Sequence, residues 1–200
     1  MDKLAIDQSQ FPEILARHIQ QLDNLEVENP KLMVCFAGPP GSGKTTLARA
    51  IEDRYKGVRI SKDDIRKLIA DFKTGLSIDE SNAIARSYHD FLLNRLGNIP
   101  NGLLIIDSSI ERKYHQVFAA AKENGYELVV IDISLPKDVL KTRIKQSKSN
   151  PQDYLPFLDG WIKDYQAFRE AEKADFVVDE NTKVGEMIEL VGEKLESTSH

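Results

Sequence analysis

The sequence predicts an α/β fold, a doubly wound five-stranded parallel sheet in a single domain of 200 residues, and three observations carry that prediction. Apolar runs at 31–37, 57–60, 103–107, 128–133 and 174–179 are each followed by a stretch of helical period, the alternation that builds a parallel sheet with right-handed crossovers. The first run, Leu32-Met33-Val34-Cys35-Phe36-Ala37, is almost continuously hydrophobic, as a central strand covered on both faces must be. A glycine-rich turn, Gly38-Pro39-Pro40-Gly41-Ser42-Gly43-Lys44-Thr45, joins that run to its helix.

That turn matches G-x-x-x-x-G-K-[ST] at every fixed position and stands in the required strand, loop, helix context. Glycines let the backbone curl so that successive N–H groups converge on phosphate oxygens, and the helix behind presents its unpaired amides to the same charge. A nucleotide's phosphates are therefore expected on Gly38, Pro39, Pro40, Gly41, Ser42, Gly43, Lys44, Thr45 and Thr46. Lys44 would reach the β and γ phosphates, and the Thr45 hydroxyl would ligate Mg²⁺. A Gly-rich turn that merely caps a helix has no packing use for a Lys-Thr pair.

Composition bounds the rest. With 41% hydrophobic residues the chain can bury one substantial core. It has no apolar segment long enough to span a bilayer and no signal-peptide core after Met1, so the cytosol is the expected compartment. The single cysteine, Cys35, lies in the first strand and reads as a small buried hydrophobe. Formal charge is −5 but uneven: residues 1–30 carry two basic and six acidic side chains, 31–60 six basic and two acidic, 151–200 five basic and twelve acidic. Such a balance suits a phosphorylated ligand held locally and gives no support to broad nucleic-acid coating.

In chain order, Phe11, Ile14, Leu15, His18, Ile19 and Leu22 recur at helical spacing, which predicts an amphipathic N-terminal helix over 11–24 ahead of a core at 31–180. A helix follows the glycine-rich turn over 43–54. The short strand at 57–60 delivers Ser61-Lys62-Asp63-Asp64-Ile65-Arg66, in which Ser61 caps a helix and the two acids suit its first turn. Residues 71–77 read as a loop, and 79–96 as a helix with Ile84, Ala85, Tyr88, Leu92 and Leu96 on one stripe. The strand at 103–107 ends in Asp107, with Ser108 and Ser109 behind it. A helix at 111–124 and the strand at 128–133 lead to Pro136, which opens a helix with Lys141, Lys145 and Lys148 on one face and Arg143 beside them. Asn150, Pro151 and Gln152 interrupt it, a second helical stretch runs over 153–171, and residues 141–152 read as a lid. Phe157, Trp161, Tyr165 and Phe168 admit a base-stacking reading, but their spacing favours core packing. Val184 to Leu195 line the last helix, and 197–200 read as a dispensable, disordered tail. His18, His89 and His115 are too scattered for a metal cluster.

The phosphate loop alone does not fix the reaction. No Asn-Lys-x-Asp segment for reading guanine appears, and Asp107 is followed by Ser108 where many ATP-driven machines place a water-activating glutamate. Transfer to a bound hydroxyl fits better, and needs a carboxylate to orient and deprotonate the acceptor plus cations for the transferred phosphoryl group. Asp63 and Arg66, three apart at a helix start, share a face and are assigned those roles; a helix-capping acid with a surface salt bridge, and Asp64 as the base, are the alternatives. Asp107 would hold Mg²⁺ or contact the acceptor, or else be a buried structural acid. Arg112 would touch phosphate or acceptor, or sit exposed. Arg143 is the expected phosphate contact of the lid.

Taken together, Gly38 to Thr45, Ile60-Ser61-Lys62-Asp63-Asp64-Ile65-Arg66, Asp107-Ser108-Ser109 and Leu140-Lys141-Thr142-Arg143 resemble the small P-loop kinases that include the phage polynucleotide 5′-hydroxyl kinase domain and the zeta toxins, over about 31–180. The resemblance implies the sheet order 2-3-1-4-5, an acid three before an arginine as general base (Asp63 and Arg66), and an arginine-bearing lid beginning at Leu140. It departs where such lids carry a second arginine: here stand Lys145, Ser147 and Lys148. Zeta toxins phosphorylate a nucleotide sugar, with acceptor residues in an insertion corresponding to about 67–100.

The expectation is an ATP-dependent, Mg²⁺-requiring phosphotransferase acting on a hydroxyl. The acceptor would be a polynucleotide 5′ end, a nucleotide sugar or another small molecule, with no membrane and no obligatory protein partner. The rival from another class is a nucleotide-controlled switch or partner-binding protein without efficient transfer.

Overall fold

The computed structural model describes residues 31–198 apart from 73, 74, 76, 95, 97–101 and 149, so the helix expected over 11–24 lies outside the described residues. Five strands form one parallel sheet in the order β2-β3-β1-β4-β5: β1 Leu32–Ala37, β2 Val58–Ser61, β3 Leu103–Ser109, β4 Glu127–Ile133 and β5 Phe176–Val178. Between them lie α1 Lys44–Tyr55, α2 Lys62–Phe72, α3 Ile78–Leu93, α4 Tyr114–Glu123, α5 Lys137–Ser147, α6 Leu158–Ala171 and α7 Val184–Thr198.

The alternation along β1 divides the core. Met33, Cys35 and Ala37 join the layer of Ile65, Ile69, Tyr88, Leu92, Val117 and Phe168, contributed by α2, α3, α4 and α6. Leu32, Val34 and Phe36 face Leu47, Ile51, Met187 and Val191 from α1 and α7. Every β1 residue is fully buried, so the continuous apolar run has a direct cause: both faces are covered. Among the described residues, no helix is long and apolar enough to cross a membrane.

Several boundaries differ from expectation. Asp71 and Phe72 belong to α2 rather than to a loop. The helix that follows is fixed by a capping box the sequence reading passed over: Glu80 N donates to Ser77 Oγ at 3.2 Å, and Ser77 N donates back to the Glu80 carboxylate at 2.9 Å. β3 runs on to Ser109, carrying Asp107 and Ser108 inside the strand. Residues 151–153 and 155–157 form two 3₁₀ turns, because Pro151 and Pro156 cannot donate in a continuing helix. Tyr165 and Phe168 are buried as core residues, whereas Phe157 is 60% exposed and stands outside that packing. The stretch expected to be a dispensable tail is helical through Thr198, whose hydroxyl donates to Glu127 at 2.8 Å.

Candidate active site

The C-terminal ends of β1, β2 and β3 bring the site together. Gly38 takes φ +144°, and a Cβ there would lie 2.9 Å from both Ile133 O and Ser42 Oγ, so only glycine starts this turn. Gly43, at φ +108°, caps α1 and aims that helix's free amides into the loop. Lys44 folds back over the loop: Nζ donates to the carbonyls of Gly38 and Pro39, the latter at 2.9 Å, and to Ser42 Oγ at 3.2 Å. Burial pulls its pKa down to about 8, against the opposing pull of Glu111 and Asp107. A part-buried cation held only by neutral oxygens fits a nucleotide's phosphates, which would supply the missing negative charge.

Thr45 Oγ1 donates to Asp107 Oδ1 at 2.9 Å. A hydroxyl and a carboxylate in contact at the mouth of the loop are the hard oxygen donors that Mg²⁺ takes, so the donor set fits that ion. Asp107 is 7% exposed, and its second oxygen accepts from Arg59 Nη1 at 2.7 Å. Arg59 also donates to Glu52 at 2.6 Å and to Asp64 at 2.5 Å, which holds three carboxylates in one fork. The sequence reading missed Arg59, although an arginine between Val58 and Ile60 in a buried strand was a signal.

Ser61 lies in register with Asp107, and two residues further on Asp63 and Arg66 form an ion pair on the first turns of α2. Asp63 is the more open of the two first-turn acids, its side chain 68% exposed. Its Oδ2 has no partner among the described residues. Arg66 Nε donates to Asn82 at 2.8 Å, which steadies the guanidinium against α3. Asp64 is instead committed to Arg59 and approached by Lys67 at 3.9 Å, a structural assignment that leaves it a poor candidate for the base.

Arg143 reaches the loop from α5, donating from Nη1 to Ser42 O at 3.1 Å. The helix is already seated there: a Cβ on Gly41 would meet Ile144 Cγ1 at 3.0 Å and Leu140 O at 3.1 Å. Lys148 lies near enough for its charge to act on Lys44, while Lys141 turns to Asp138 at 3.6 Å. Arg112 is not brought to the phosphate loop. Its side chain is 65% exposed, and Nε donates to Asp164 of α6 at 2.5 Å.

A second missed residue is Glu111, four positions past Asp107. Its carboxylate accepts from Gly38 N at 2.5 Å, and burial raises its pKa against the pull of Lys44. An acid therefore does stand beside the phosphate loop, at a spacing that a search for the residue directly after Asp107 could not detect, and it anchors the loop's first amide.

A family model described as an AAA domain matches residues 33–171. The ESX-3 secretion system protein EccA3 of Mycobacterium leprae (strain TN) is 32% identical over 103 residues, which cover 51% of this chain, and this chain spans 14% of that protein's length. Among solved structures, the PezAT chromosomal toxin-antitoxin system of Streptococcus pneumoniae superposes with a TM-score of 0.62 at 16% identity, covering 98% of each chain. Shikimate kinase from Acinetobacter baumannii, in complex with shikimate, superposes with a TM-score of 0.55 at 17% identity, covering 88% of this chain and 97% of that one. At such identities the likeness is one of fold, the P-loop kinase arrangement with sheet order 2-3-1-4-5.

Proposed function

Since this chain belongs to the AAA domain family over residues 33–171, we propose that within that family it works as a phosphotransferase, moving the γ-phosphoryl group of ATP to an acceptor hydroxyl. One observation carries the choice: of the acids at this sheet edge, Asp64, Asp107 and Glu111 are each tied to Arg59, Thr45 or Gly38, while Asp63 keeps an oxygen free in the open. A nucleotide switch has no use for such a group, whereas hydroxyl transfer requires one.

Phosphate oxygens are received by the amides of residues 41–45 and by Lys44, which exchanges its carbonyl partners for them. Thr45 and Asp107 would hold Mg²⁺, which when bound neutralises charge on the β and γ oxygens. Asp63 Oδ2 accepts the acceptor's proton as its oxygen bonds to the γ-phosphorus, and the bond to the bridging oxygen breaks with the electron pair leaving on ADP. Arg66 and Arg143 supply the cations that neutralise the transferring group, without a second lid arginine.

The acceptor readings are a polynucleotide 5′-hydroxyl end, as in the phage kinase domain that Ile60 to Arg66 resembles, and a nucleotide sugar or another small molecule. A cytosolic protein acting without an obligatory protein partner is part of the same proposal. The second class, a nucleotide-controlled switch or partner-binding protein without efficient transfer, would use the same phosphate loop and leave the free oxygen of Asp63 without a role. Incubating the full chain with Mg²⁺ and γ-labelled ATP against 5′-hydroxyl DNA, 5′-hydroxyl RNA, nucleosides, nucleotide sugars and hydroxy acids separates them. Label in one pool is expected; release of free phosphate alone would favour the second class.

A further inference from the structure

The charges on the acceptor side of the site do not balance. Lys62 opens α2, one residue past the point where Ser61 lies in register with Asp107. It is half-buried, yet its ammonium makes no hydrogen bond or ion pair with any described residue. Its neighbours are already taken: Lys113 donates to both oxygens of Asp90 at 2.6 and 2.8 Å, and Arg66 holds Asp63.

Two features disfavour a cation there. Burial, with the charges of Lys113, Arg66 and Arg86, lowers the Lys62 pKa, and Asp90 is the acid that acts the other way. The first turn of a helix is the positive end of its dipole, where a lysine is misplaced and an anion welcome. His89, 2% exposed with Nε2 3.4 Å from Ser108 Oγ, brings no negative charge to balance it. A cation kept in such a place lowers the stability of the empty protein, and one oxyanion would relieve both features together.

We infer that Lys62 seats an oxyanion carried by the acceptor, so that the molecule phosphorylated bears a phosphate or carboxylate group besides its reacting hydroxyl. This rests on the phosphotransferase reading above. It narrows the acceptor to anionic molecules and separates the two ends of the site: nucleotide phosphates on residues 38–45, acceptor anion at the α2 start.

The test begins without any acceptor. The full chain, saturated with Mg²⁺ and AMP-PNP to fill the phosphate loop, is titrated calorimetrically with inorganic phosphate and with acetate. Saturable binding of one of them is expected, the one that binds identifying the acceptor's anion, with at least a tenfold loss in Lys62→Met and near-normal binding in Lys62→Arg. The melting temperature of nucleotide-free Lys62→Met should equal or exceed that of the wild type, which shows that the fold is intact. Absence of anion binding in the wild type, or equal binding in Lys62→Met, overturns the inference. Transfer is then measured to paired acceptors that differ only in the anionic group, and the selectivity ratio for the charged member should fall at least tenfold in Lys62→Met. Anion binding lost in the variant, with no transfer to any acceptor, would sink the phosphotransferase reading and leave the anion seat. Transfer with no preference for charge would do the reverse.

Discussion

Arg59 Nη1 donates to Asp107 Oδ2 at 2.7 Å, and this contact turns the other oxygen, Oδ1, toward the Thr45 hydroxyl at 2.9 Å. The carboxylate that would hold Mg²⁺ is thus aimed from the far side by a strand residue with no place in the phosphate loop.

Removing that hold should cost both stability and metal use. Arg59→Met leaves Asp107 buried without its cation, and loss of one partner from a buried pair destabilises by about 3–5 kcal/mol. The lower end, about 3 kcal/mol, is expected here because Glu52 and Asp64 are partly exposed and regain water. Urea unfolding measures it, and the Mg²⁺ concentration for half-maximal turnover should rise. A stable variant with unchanged Mg²⁺ dependence would separate Arg59 from the site.

The two first-turn acids of α2 should behave differently. Asp63→Asn is expected to lower turnover by about 10²–10⁴-fold with ATP affinity nearly unchanged, the range for a lost proton acceptor. Asp64→Asn should mainly weaken the Arg59 fork and melt earlier. Single-turnover transfer together with calorimetric ATP titration reads both, and normal turnover by Asp63→Asn would return the role to Asp64.

Nucleotide affinity should fall above pH 8. Lys44 in the empty protein has a pKa near 8, below the ordinary lysine value, so at higher pH it must regain a proton to meet phosphate. The sign for stability is opposite. Between about pH 8 and the unfolded value near 10.5 the unfolded chain binds more protons, so Lys44 makes the empty fold more stable as pH rises through that window. Calorimetry in buffers of different ionisation enthalpy should detect proton uptake on ATP binding at pH 8.5, and an uptake of zero would remove the assignment.

Arg112→Ala should change little: its own side chain is 65% exposed, and such surface pairs contribute under about 1 kcal/mol. Unchanged melting and unchanged KM for the acceptor are expected. A large rise in KM would restore it to the acceptor site.

Two glycines of α7 should respond with opposite signs to the same change. Gly185→Ala enters open space and should stabilise by about 0.5–1 kcal/mol through helix propensity. At Gly192 a Cβ would lie 2.2 Å from the Tyr55 hydroxyl, which donates to Ile188 O at 2.9 Å, so Gly192→Ala should destabilise by about 1–3 kcal/mol. Thermal melting of the pair decides it.

The order of strands and helices, the phosphate loop and the Asp63–Arg66 pair were legible in the sequence because each depends on neighbours a few positions away: a period of two or 3.6, a fixed G-K-T spacing, a shared helix face. Arg59, Glu111 and His89 acquire their meaning from partners 48, 73 and 19 positions away, namely Asp107, Gly38 and Ser108. Local pattern has no access to such distances. Only packing the β2, β3 and β1 ends side by side decided which acids were spent on structure, which one kept a free oxygen, and that the half-buried Lys62 makes no ion pair with a described residue.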